Sequence, residues 1–171
     1  MNLRYFSTVA ATWLGLVAAV AGGYGTLQTY RAQVDKEIDE RKLQTFRMIE
    51  RFGGKEMADM RERILPLVTT DTFCDTAART KTGLTVSQMF AFVEFFDLVQ
   101  TCIDARLCDG ELAYEAFGPY ANWHWPGMQR IIEQTRAAEG AMELKKPYGH
   151  GLQALARKPG YVSKCGTARQ Q

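Results

Sequence analysis

Histidine is almost missing from this chain of 171 residues, which has only His124 and His150. No Glu-x-x-His occurs, so the facing-helix ligand sets of carboxylate di-iron bundles have no counterpart. The nucleophile elbow, the phosphate-binding P-loop, the dinucleotide Gly fingerprint and His-Glu-x-x-His are all absent. An enzyme is therefore not expected, and no catalytic, metal or cofactor residue is assigned. Charge of one sign is lacking too: 21 basic and 19 acidic side chains leave a formal net charge of +2. A surface so balanced gives no reason to expect nucleic acid as a partner. No alternating Val/Ile/Thr run and no internal repeat is present, so strands are not expected.

What the chain does have is apolar length. At 46% hydrophobic residues it lies far from the composition of disordered proteins and suffices for one folded domain plus an anchor. From Tyr5 to Tyr30 no side chain is charged. As a helix those residues would extend ~39 Å at ~1.5 Å per residue, more than the ~30 Å hydrocarbon core. A single membrane helix over residues 5–27 is the expectation. A cleaved signal peptide is the alternative, since Ala19-Val20-Ala21 has the small-x-small form of a cleavage site. Against it, the basic n-region is weak and the helical pattern continues without a turn.

Basic residues near the span set its orientation. Arg31, Lys36, Arg41, Lys42 and Arg47 follow it, whereas only Arg4 and the amino terminus precede it. They predict an amino terminus outside and a cytoplasmic C-terminal domain. Within the span, Ser7, Ala11, Gly15, Ala19 and Gly23 repeat small residues every fourth position. Such a face suits close packing on another membrane helix, from a second protein or a second copy.

Residues 28–140 read as a helical domain. The first helix should run on to Gly53-Gly54, with a charged, solvated surface between Asp35 and Arg47. A second, disturbed near Pro66, carries Met57, Met60, Ile64 and Leu67 on one face. A Thr-rich connection with a short helical turn follows. Thr85 is placed to cap a third helix, Val86 to Leu107, which contains the apolar run "MFAFVEFFDLVQTC". Its polar members Ser87, Glu94, Asp97, Thr101 and Asp104 form one arc, opposite Phe92, Phe96, Val99 and Ile103. Three carboxylates make it a poor membrane span and a good core helix, with the arc as a solvated stripe. Asp109 should cap a last long helix, which Pro119 and Pro126 should kink or interrupt. Residues 141–171 read as a basic, mostly irregular tail, with at best a short helix around Leu152 to Ala156.

Cys74, Cys102, Cys108 and Cys165 fit no zinc spacing, and in a cytoplasmic domain they should be reduced, unreactive thiols. The apolar and aromatic side chains left over suggest a contact surface. Phe90 and Leu98 lie beside the polar arc, and Tyr120, Trp123 and Trp125 around His124 could anchor a protein partner.

The stretches "QTFRMIERF", "FVEFFDLVQTCIDARLCDGELAYEAFG" and "YANWHW" resemble an uncharacterised family of small bacterial proteins with one N-terminal membrane helix and a helical cytoplasmic domain of unknown function. The resemblance covers roughly Gly15 to Arg136 and rests on apolar and aromatic pattern. The tail after Gly140 has no counterpart in it, and Pro126 is atypical. It implies an all-α fold and an anchor, and carries no functional residues. The expected function is that of a membrane-anchored, non-enzymatic accessory or scaffold subunit of a bacterial inner-membrane complex, without cofactor, in contact with the lipid bilayer and with other membrane proteins or a second copy of itself. The alternatives are a homo-oligomeric membrane effector or pore, and a metal- or redox-linked sensor using Cys102, Cys108 or His124.

Overall fold

The computed structural model describes the backbone of residues 3–139 and 146–157, and side chains over 28–137 and 146–157. The chain is all-α, with six helices and no strand among the described residues. They are α1 (Leu3–Gly53), α2 (Lys55–Thr69), α3 (Thr76–Thr82), α4 (Val86–Asp104), α5 (Gly110–Glu139) and α6 (His150–Leu155). The chain divides into two compact units, Met1–Glu40 and Arg41–Gln171, with α1 crossing the division. The expected membrane span 5–27 and its small-residue face, Ser7, Ala11, Gly15, Ala19 and Gly23, lie outside the described side chains.

In the second unit the expected faces form the core. Met57, Met60, Ile64 and Leu67 of α2 are all buried, and Pro66 sits inside that helix without ending it. Thr85 caps α4 through a reciprocal box: its hydroxyl accepts the Gln88 N–H, and the Gln88 side chain accepts the Thr85 N–H, both at 3.1 Å. Phe92, Phe96 and Val99 are fully enclosed. By length and composition α4 is one helix among the described residues that could cross a membrane. Here it is the central helix of the domain, in contact with α2, α5 and α6.

Four expectations are corrected. The long helix is not interrupted: α5 runs unbroken over 30 residues with Pro119 and Pro126 inside it. Its start is as expected, the Asp109 carboxylate accepting the N–H groups of Glu111 and Leu112. Helix α4 ends at Asp104 rather than Leu107, because the chain turns back through Arg106, whose φ is 58°, in the left-handed region. That turn brings the Cys102 and Cys108 Cα atoms within 5.2 Å, and the two are joined by a disulfide. Cys74 is disulfide-bonded as well, so no thiol is free among the described residues, and the expectation of reduced thiols is the third to be corrected.

The fourth correction concerns the acidic arc of α4, where Asp97 and Asp104 form a seat for the C-terminal segment rather than a solvated stripe. The Asp97 carboxylate accepts the N–H groups of Gly149 at 2.7 Å and Gly151 at 2.6 Å. The His150 Nδ1 lies 3.3 Å from the same carboxylate. About two turns further on, Lys146 donates to Asp104 at 2.6 Å. From α5, the Arg136 guanidinium donates to the Tyr148 carbonyl and the Gln153 side chain. Glycine is needed at 151, since a Cβ there would collide with the Phe96 carbonyl and come 2.6 Å from the Asp97 Cα. This close approach buries Leu152 and Leu155 completely. Glu94 remains exposed.

Candidate functional site

Phe52, near the end of α1, is the hub of an aromatic cluster. Its ring lies 5.2 Å from Phe95, 5.5 Å from Phe117 and 4.9 Å from Tyr120, mostly in edge-to-face geometry. Arg61 of α2 covers this cluster from outside, its guanidinium carbon 4.4 Å from the Phe52 ring centroid and 5.6 Å from that of Tyr120. A guanidinium favours such a place because it is weakly hydrated and stacks on aromatic faces. Yet its Nε is buried with no hydrogen-bond partner. Among the described residues no carboxylate pairs with this cation.

Beside Arg61 a cleft of about 470 Å³ opens between α2 and α5. Ala58, Arg61, Glu62 and Leu65 form one wall, and Pro119, Tyr120, Trp123 and His124 the other. The large apolar side chains are unusually open to solvent: Leu65 is 52% exposed, Trp123 50% and Tyr120 39%. The unbroken course of α5 through Pro119 puts Tyr120, Trp123 and His124 on one face at helical spacing.

His124 forms part of the α5 wall and is almost fully buried. Its Nδ1 lies 2.6 Å from the Tyr120 carbonyl, which can only accept, so the ring proton sits on Nδ1. Phe92 packs against the ring at 5.1 Å. Burial pushes its pKa below the ordinary 6.5, the nearby Arg61 charge acting in the same direction and the Tyr120 carbonyl against it. His124 is therefore a neutral, structural histidine at neutral pH. The cleft's formal charges are those of Arg61 and Glu62.

The expected contact residues separate into two groups. Tyr120 and Trp123 line the cleft together. Trp125 is only 8% exposed and belongs to the core. Phe90 is half-buried, its ring 5.0 Å from Tyr148 of the C-terminal segment, so it has a use within the domain. Leu98 is 41% exposed and does not line the cleft. Arg61 and Leu65 were not singled out by sequence. Their signal was weak: an Arg and a Leu on the outer side of an amphipathic helix are ordinary until α5 is placed opposite. No group of three or more metal-ligating side chains occurs among the described residues.

No family model, curated protein or solved structure matches the chain. The cleft's own chemistry must carry the functional reading.

Proposed function

We propose that this chain is a membrane-anchored, non-enzymatic accessory subunit of a bacterial inner-membrane complex, and that its helical domain docks a partner protein in the α2–α5 cleft. The observation that carries the reading is the composition of that cleft. Arginine, tyrosine and tryptophan are the residues that dominate protein interfaces, and here they surround one concave apolar surface. The sequence resemblance to small single-span membrane proteins supports the anchor.

On topology two signals oppose each other. The basic residues after the span favour a cytoplasmic domain, whereas the Cys102–Cys108 disulfide and the bonded Cys74 favour an oxidising compartment. We follow the disulfides. The cytosolic thiol pool acts on every molecule throughout its life, while the charge rule is a statistical bias with exceptions. The domain then faces the periplasm.

The docking half is tested by replacing Trp123 with a photo-crosslinking phenylalanine derivative in the full chain in intact membranes. A discrete adduct with one other protein is expected. No adduct at Trp123, or the same adduct pattern from the exposed α1 position Phe46, would overturn it.

A further inference from the structure

The cleft has a charge pattern that narrows what can fill it. Arg61 lies against its apolar floor with a buried, unpartnered Nε and no ion pair among the described residues, while Glu62 stands beside it on the same wall. His124 adds no charge at neutral pH, because burial and Arg61 both hold it deprotonated. An occupant made only of apolar side chains would cover Arg61 and leave a desolvated cation without a hydrogen-bond acceptor, which is costly. A basic occupant would meet like charge. An occupant with several carboxylates would meet Glu62. The surface is an open groove with protruding Leu65 and Trp123, which fits a polypeptide segment laid between two helices better than an enclosed small molecule.

We propose that the partner segment seated in the α2–α5 cleft is apolar and carries a single carboxylate side chain, which pairs with the Arg61 guanidinium while its neighbouring Leu, Phe or Trp side chains pack against Leu65, Tyr120 and Trp123. The inference rests on the reading of the cleft as a protein-docking site. Planar guanidinium and carboxylate make paired, charge-assisted hydrogen bonds, so Arg61 sets where along the groove the acidic residue must lie. The aromatic ring under the cation holds it in place without neutralising it. Glu62 then selects against a second acidic residue on its side of the groove.

A random twelve-residue displayed peptide library, panned against the full chain in lipid nanodiscs and counter-selected on the Arg61→Gln variant, tests this. Enriched peptides should carry one Asp or Glu flanked by Leu, Phe or Trp. Their binding, measured by calorimetry, should fall about tenfold or more on Arg61→Gln and equally on changing the peptide's acid to its amide, with Arg61→Lys retaining part. Trp123→Ala should weaken every such peptide, and circular dichroism of each variant checks that the domain is folded. Enrichment without acidic bias, or binding unchanged by Arg61→Gln, overturns the inference. So does the absence of any enriched peptide, the outcome if a second copy or another segment of this chain occupies the cleft. A Trp123 adduct in membranes combined with acid-independent peptides would leave the docking function standing and remove only the carboxylate.

Discussion

At His124 one side chain shows how packing sets protonation. The folded-state pKa is depressed by burial, so between the unfolded value near 6.5 and the lower folded one the unfolded chain binds more protons than the native chain. Stability is therefore complete above about pH 6.5 and declines as pH falls toward the folded-state pKa. Urea denaturation of the full chain at pH 8 and pH 5 should show this loss, and His124→Gln should abolish the part of the pH dependence that belongs to this residue. Asp97 behaves differently. Burial raises its pKa against the backbone N–H groups, His150 and Arg136, which all pull it down. Removing it in Asp97→Ala leaves two backbone donors unpaired, for an expected loss of about 2–3 kcal/mol in the same denaturation experiment. Asp104→Asn should cost under ~1 kcal/mol, because the Lys146 pair is solvent-exposed.

Element by element, the sequence and the fold agree where a helix face carries its own signal. The Met57, Met60, Ile64, Leu67 stripe, the Thr85 cap and the Asp109 cap are local patterns, and all three hold. What escaped the sequence is contact between distant segments. Asp97 reads as one member of a polar arc because its partners stand 52 and 54 residues later, and they are backbone groups that leave no trace in side-chain pattern. The disulfide was hidden for a related reason, since it depends on α4 stopping at Asp104 and on the left-handed turn at Arg106. The cleft required knowing that Pro119 does not break α5. Helix α6 can be tested as an element: Gly151→Ala should dislodge it, exposing Leu152 and Leu155. Faster amide exchange over 146–157 should follow, with α2 protection retained. Equal protection of 146–157 in both proteins would show that the close approach to Phe96 is not needed.

For the molecule as a whole, compartment is the decisive question, and the cysteines give it a direct readout. With the domain in an oxidising space, alkaline phosphatase fused after Gln171 should be active and a fused green fluorescent protein dark. Protein denatured without reductant, after alkylation of any free thiols, should shift in size with a maleimide reagent only once reduced. Active fluorescence and an inactive phosphatase fusion would restore the cytoplasmic assignment suggested by the basic residues after the span. Replacing Cys102 and Cys108 by Ser should lower stability by about 2 kcal/mol, the scale expected for so short a loop.

The seating of α6 on α4 has a consequence for how the molecule is made. Leu152 and Leu155 are among the last described residues, and they complete the core. A chain still emerging from the ribosome has α4 without its cover, and Asp97 and Phe96 stay open until residue 155 is available. The domain thus closes only once residues 151–155 have been made.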